Sequence, residues 1–330
     1  MSITNFLLLV VIALALIFDF LNGVHDSSNV VATMISSRSL SPRVALGMTA
    51  IANFLGPFIF GVAVAETIGG IVDANTISLE VLVATLASAI LWNLLTWYLG
   101  FPSSSSHALV GGMIGAVGIS AGWQAINLDE FKKILIALFT SPFIGFIFGF
   151  ILLRIIILIC WNSSPRVNWV FKRGQIFTAL ALALSHGTND AQKTMGLISL
   201  ALVISGYSKT LVVPDWVIFI CASMIALGAA MGGWKLIRTL GGKFYKIRPL
   251  DGFSSQLASA TVILGASLMG GPVSTTQVVS SSIMGVGAAE RVNKVRWGVA
   301  QEIATAWLLT IPSTALIAAG LYWIIAKLIP

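Results

Sequence analysis

Charge is what this chain has least of: only 9% of its 330 residues are Asp, Glu, Lys or Arg, against about 25% in soluble domains. So few charges cannot clothe a water-exposed fold, and with 57% hydrophobic residues and a mean hydropathy of +0.95 a soluble protein is excluded. Cysteine is nearly absent. Cys160 and Cys221 both sit in apolar stretches, so neither a disulfide framework nor a cysteine metal cluster is available. The net charge of +7 would suggest an acidic partner for a soluble protein; here it is read through the cytoplasmic bias of Lys and Arg, and nucleic acid is not implied. The opening residues, MSITNFLLLVVIALALIFDF, lack the basic start and the cleavage-like site of a signal peptide and read as a first transmembrane helix.

What is present is apolar runs of about 20 residues, the length that crosses ~30 Å of hydrocarbon. They fall near 4–36, 44–65, 78–100, 104–120, 131–160, 174–204, 214–233, 254–270, 276–289 and 297–326. Gly or Pro at 22–23, 142, 187 and 312 predicts breaks within the longest of them. An internal repeat runs at an offset of 164 to 172 residues. Asn22-Gly23-Val24-His25-Asp26-Ser27-Ser28-Asn29 faces His186-Gly187-Thr188-Asn189-Asp190-Ala191-Gln192-Lys193, and Thr67-Ile68-Gly69-Gly70 faces Thr239-Leu240-Gly241-Gly242. Pro102-Ser103-Ser104-Ser105-Ser106-His107 faces Pro272-Val273-Ser274-Thr275-Thr276-Gln277, and Thr140-Ser141-Pro142 faces Thr310-Ile311-Pro312. Four matches in one order are not coincidence.

Placing Arg38 and Arg43 inside makes the 66–77 loop, with Glu66 and Asp73, external and the 161–173 linker, with Arg166, Lys172 and Arg173, internal. The basic 234–250 loop (Lys235, Arg238, Lys243, Lys246, Arg248) and Arg291, Lys294 and Arg296 then fall inside too. Fourteen of nineteen basic residues become cytoplasmic, four external, and Lys193 lies in the membrane. Matching loops on opposite faces are what an inverted-topology repeat requires. The expectation is an all-α polytopic protein of a bacterial cell membrane, built as two inverted-topology repeats (1–160 and 174–330, joined by a cytoplasmic linker at 161–173). Broken helices, two helical hairpins and external termini complete it.

Asp26 and Asp190 lie in apolar segments, where a carboxylate costs about 2.5–3.5 kcal/mol on insertion scales. Each needs a partner: a cation, a proton or Lys193. Asn29, three residues after Asp26 on the same helical face, adds an amide oxygen to a cation site. Lys193 stands where Asn29 stands in the other half, as a fixed ammonium that replaces a cation, neutralises Asp190 or contacts an anion. The hydroxyl runs Ser103, Ser104, Ser105 and Ser106 and Ser274, Thr275 and Thr276 read as hairpin tips. Helix N–H groups, the positive end of the dipole and hydroxyl donors converge there on an anion. Proton relay, anion donation and plain buried hydrogen bonding are all open for His25, His107 and His186; Gln277 opposite His107 shows that an imidazole is not needed in both halves.

On these residues the sequence resembles the PiT family of inorganic phosphate transporters over essentially its full length. Its paired signature, of the type G-x-N-D-x-x-N, is represented by Gly23 to Asn29 and by Gly187 to Lys193, and its hairpin motifs by Pro102 to His107 and Gly271 to Thr276. The resemblance implies a dimeric symporter that has no cofactor and lies in membrane lipid. It further implies that Asp26, Asn29 and Asp190 bind the coupling cation and that the hairpin hydroxyls bind phosphate, with His25, Asn189, His107 and Gln277 in support and no metal ligated. His25 replaces the Asn of the first motif and Lys193 the last Asn of the second. The Asn-Asp-x-Gln-Lys form is similar to bacterial members coupled to protons, some of which carry a neutral metal-phosphate complex, so H+ is expected ahead of Na+.

A sulfate permease of the same fold is the nearest alternative. Sulfate brings only acceptors, whereas hydrogen phosphate can also give a proton to Asp26 or Asp190. An intramembrane enzyme fits worse, because Ser106 and His107 are sequence neighbours, a spacing that does not set a base against a nucleophile. A passive channel is a third reading, excluded by gradient-dependent accumulation.

Overall fold

The computed structural model describes residues 2–100, 103–164, 166–232 and 247–328, with Val299 and Glu302 as backbone only. Lys235, Arg238, Lys243, Lys246, Pro102 and the Thr239–Gly242 motif lie outside the described residues. Among the described residues the regular elements are helices, joined by turns and loops that include 3-10 turns and a lone bridge between Val72 and Ile126. In order the helices are α1 (Ile3–Ser36), α2 (Pro42–Phe60), α3 (Ala63–Gly69), α4 (Leu79–Leu99), α5 (Ser105–Ser120) and α6 (Leu128–Ile159). They continue as α7 (Val167–Ile204), α8 (Asp215–Met231), α9 (Pro249–Leu268), α10 (Thr275–Glu290) and α11 (Trp297–Leu328). Five are long and apolar enough to cross a membrane: α1, α2, α4, α6 and residues 303–328 of α11. α7, with 38 residues the longest, misses that hydropathy because its middle carries Ser185 to Thr194, a polar run buried inside the protein.

The expected breaks at 22–23, 142, 187 and 312 are not where the helices end: α1, α6, α7 and α11 run unbroken through all of them. The glycines serve close approach instead. A Cβ on Gly23 would stand 2.2 Å from the Ile225 carbonyl oxygen, and one on Gly187 would stand 2.3 Å from that of Asn53. Small residues let α1 and α7 sink against α8 and α2, the usual way helices associate without a hydrophobic driving force. At Pro142 the ladder loses one donor, and the Ser141 hydroxyl reaches the freed Leu138 carbonyl at 3.4 Å. The interruptions lie elsewhere. Gly61, at φ +80°, separates α2 from α3; α4 packs back on α5, and 269–274 turns α9 into α10. Two hairpins result, as expected.

α1 and α7 cross as an antiparallel pair, tied by Asn5 to Tyr207 (3.2 Å), Asp19 to Thr194 (2.6 Å) and Ser37 to Gln175 (2.7 Å). Around them packing is reciprocal: α1 lies on α8 and α2 on α7, while α5 lies on α11 and α10 on α6. Each hairpin thus leans on the last helix of the other half, which brings both tips to the middle of the α1–α7 crossing.

Candidate functional site

Both hairpin tips are helix starts built alike. Ser104 caps α5, its Oγ accepting from the His107 amide (3.2 Å), and Ser274 caps α10, accepting from the Gln277 amide (3.4 Å). N-terminal amides and dipoles of two 16-residue helices are therefore aimed at one place, the equivalent of about half a positive charge each. His107 Nδ1 lies 2.7 Å from Ser104 Oγ and 3.5 Å from Gln277 Nε2, so the repeat-matched pair meets across the two tips.

Below the tips are the two carboxylates, both buried. Thr275 Oγ1 donates to Asp190 Oδ2 (2.9 Å) and reaches Asp26 Oδ2 (3.5 Å), while Thr276 Oγ1 donates to Asp26 Oδ1 (2.7 Å). Asn29 Nδ2, one turn on, donates to Asp26 Oδ1 (2.8 Å) and Thr276 Oγ1 (3.0 Å), leaving its Oδ1 without a protein partner. His186 Nε2 lies between the acids, 2.9 Å from Asp190 and 3.7 Å from Asp26, and its Nδ1 is 3.2 Å from Asn53 Oδ1. Asp26, His186 and Asp190 each present a ligand atom within 4.8 Å of the others, a geometry that can hold a cation.

Lys193 is fully buried. Its ammonium is in tight contact with Asp190 and donates to Ser106 Oγ (2.6 Å) and to the Val273 carbonyl (3.0 Å). Ser106 Oγ donates to the same carbonyl (2.9 Å). The two tips are thereby stitched together by one cation, one hydroxyl and one carbonyl; the second hairpin holds both acids, and both tips hold Lys193. Asn189 does not face the acids; it positions the second tip through Ser267 (2.8 Å), the Gly271 carbonyl (3.3 Å) and the Val273 amide (3.2 Å).

Three expected site residues fall outside this cluster. Ser103 Oγ turns back to Thr96 Oγ1 (2.7 Å), Ser105 is the half-buried first residue of α5, and His25 stacks on Trp97 with ring centroids 6.4 Å apart. The reason at position 25 is angular: one residue before Asp26 is about 100° around the helix, on α4's side. Sequence reasoning gave no role to three groups the fold brings in. Asn53 holds His186, the Val273 carbonyl takes two donors, and Gln192 caps α3 by accepting from the Val64 (2.7 Å) and Ala65 (3.3 Å) amides while donating to Gly61 O (2.5 Å). A backbone carbonyl leaves no trace in sequence; Asn53, an amide in an apolar run, does.

Two cavities flank the site without entering it. One, of about 550 Å³, is walled by α5, α6, α10 and α11 and has His107 and Gln277 on its inner side; another, of about 710 Å³, lies along α6 and α9 with Lys132 and Lys133 at its rim. Neither is lined by Asp26 or Asp190, both of which are buried.

Comparison with known proteins bears on the family and the fold. The chain is 46% identical to a protein of Bacillus subtilis (strain 168) named probable low-affinity inorganic phosphate transporter, covering 98% of this chain and 99% of that one. It is 43% identical to a Rhizobium meliloti (strain 1021) protein of the same name, covering 96% of each. A solved structure named the sodium-dependent phosphate transporter superposes with a TM-score of 0.91 at 26% identity, over 98% of this chain and 100% of that one. These relatives are transporters, which disposes of the enzyme reading. The sequence model described as the phosphate transporter family matches residues 22–170 and 160–318, and the chain belongs to that family.

Proposed function

We propose that this chain carries inorganic phosphate across the membrane as a secondary transporter, by symport with a cation, protons ahead of sodium. The observation that carries the reading is the meeting of two hydroxyl-bearing helix starts, at Ser106 and at Thr275–Thr276, over Asp26 and Asp190. Amides, hydroxyls and Lys193 suit an anion; the paired carboxylates suit a cation or a proton beside it. Asp26, Asn29 and Asp190 are read as the coupling site, and Ser104, Ser106 and Ser274 to Thr276 as the phosphate site.

Lys193 is the reason for placing protons first. It holds Asp190 in the position where the other half offers only the amide of Asn29, so one of two symmetric cation positions is already filled by the protein. The solved relative's name says that it depends on sodium, and that property is not carried over.

The rest of the reading rests on the halves. Residues 1–160 and 174–330 are taken as inverted-topology repeats joined by the cytoplasmic 161–173 segment, with both termini external in a bacterial inner membrane. Antiparallel α1 and α7 and the reciprocal packing support it. Hairpins opening to opposite sides then give alternating access around a fixed centre. A homodimer is expected, and the cargo can be a neutral metal-phosphate complex. The test is labelled phosphate uptake into liposomes under a proton or a sodium gradient, with sulfate and divalent metal as additions. Proton-driven uptake that sulfate does not block supports the reading; uptake abolished by sulfate moves the substrate to sulfate.

A further inference from the structure

One carboxyl takes no part in the site described so far. Asp19 lies in the middle of α1, fully buried, two helical turns before Asp26 and on the same face. Thr194 Oγ1 on α7 donates to its Oδ2 at 2.6 Å, and the Cys221 thiol on α8 lies beside the same pair. Its Oδ1 has no protein partner. Among the described residues no Lys, Arg or His comes within ion-pair distance of it.

The neighbourhood is short of partners generally. Asn22, between Asp19 and Asp26, accepts from Asn93 Nδ2 on α4 (3.2 Å), yet Asn22 Nδ2 and Asn93 Oδ1 are both buried without partners. The titratable and charged groups facing Asp19 from the packed elements are Cys221 on α8 and, on α7, Lys193 with Asp190. Lys193 spends its ammonium on Asp190, Ser106 and Val273. The repeat offers no counterpart: at the 164-residue offset that pairs Asp26 with Asp190, Asp19 meets Ala183. Asp19 is therefore not half of a duplicated site but an addition to one side of it.

We propose that Asp19 is a proton-binding site of the transport cycle, distinct from the Asp26–Asp190 centre and lying between it and the N-terminal end of α1. A buried carboxylate with no ion-pair partner of its own and one oxygen unpartnered is held at high cost, and a proton removes that buried charge. When the packing of α1 on α7 and α8 loosens during the cycle, water reaches the group and the carboxylic acid gives its proton back as carboxylate. The coupled ion is then taken up at a residue that phosphate itself does not touch. This rests on the phosphate-symport reading and deepens it.

The test uses the full chain in liposomes loaded with a pH dye, with protons moved per labelled phosphate as the readout. Wild type should show phosphate-driven proton movement. Asp19→Asn, a fixed mimic of the protonated state, should lose at least one proton per phosphate, its proton-driven accumulation falling to the level without a gradient while phosphate–phosphate exchange persists. Asp19→Glu should restore coupling, which a purely structural acceptor for Thr194 would not require. An unchanged proton-to-phosphate ratio in Asp19→Asn, or sodium movement lost in place of protons, overturns the proposal. Should Asp19→Asn fail to fold, infrared difference spectra with and without phosphate decide the matter. A carboxylic-acid carbonyl band that moves in Asp19→Glu supports it, and no such band overturns it. Wild type that moves no phosphate under any gradient defeats the symport reading instead, while the infrared band still reports on Asp19.

Discussion

Lys193→Asn makes the second half of the site resemble the first, and the structure says what this should cost. The ammonium is fully buried on Asp190, Ser106 Oγ and Val273 O. Breaking a buried ion pair by removing one partner costs about 3–5 kcal/mol, because a charge is left uncompensated. Asp190 keeps His186 at 2.9 Å and Thr275 at 2.9 Å, which puts the loss near the lower end, at about 3 kcal/mol. The shorter Asn leaves room for a monovalent cation facing Asp190, as Asn29 does beside Asp26. A cation bound to the folded state at 100 times its Kd returns about 2.7 kcal/mol. Purified Lys193→Asn should therefore unfold at a lower temperature than wild type in choline chloride and recover most of the deficit in sodium chloride, while wild type is indifferent. Phosphate uptake by the variant should gain a dependence on sodium. Equal melting of the variant in the two salts, with unaltered ion dependence of uptake, would refute the role given to Lys193.

Four further substitutions, one of them a control, probe other joints of the structure. Gly187→Ala drives a methyl to within 2.3 Å of the Asn53 carbonyl oxygen and should lower stability by about 1–3 kcal/mol or more, whereas Gly47→Ala, with nothing within 4 Å, should be neutral or slightly stabilising; thermal unfolding in detergent compares them. Thr275→Val removes the hydroxyl shared by Asp190 and Asp26. Hydrogen bonds to charged groups are worth about 1.5–3 kcal/mol, so phosphate uptake at low substrate should fall roughly tenfold or more, and a fall under twofold would show that the hydroxyl is a bystander. Gln192→Ala uncaps α3 and frees Gly61 O; about 1–2 kcal/mol of stability should go, with faster amide exchange confined to residues 61–66 as the local signature.

Much of this was legible before any coordinates. A carboxylate in an apolar run needs a partner, and Lys193, one of the three partners the sequence offered, does hold Asp190. The capped hydroxyl turns were legible for the same reason: Ser after an apolar run, with a helix following, has N–H groups to satisfy. What misled was glycine. In sequence Gly23 and Gly187 read as breaks, and only their neighbours, Ile225 and Asn53, show them to be contact points. His186 looked like His25, since each lies near an Asp. Four residues before Asp190 puts His186 on the acid's own face, whereas one residue before Asp26 turns His25 toward Trp97. Asp19, inside the first apolar segment, drew no reading from the sequence, because the unpartnered Oδ1 is a property of packing.

The most direct test of the account is the steady-state accumulation of labelled phosphate in liposomes containing this protein, measured against the size of an imposed proton gradient. Coupled transport predicts an inside-to-outside ratio that climbs above unity as the gradient steepens and collapses with a protonophore. It also predicts that Asp26→Asn and Asp190→Asn each reduce that climb. A ratio that stays at unity for every proton and sodium gradient, with phosphate still entering, would contradict the account and make the protein a passive pathway.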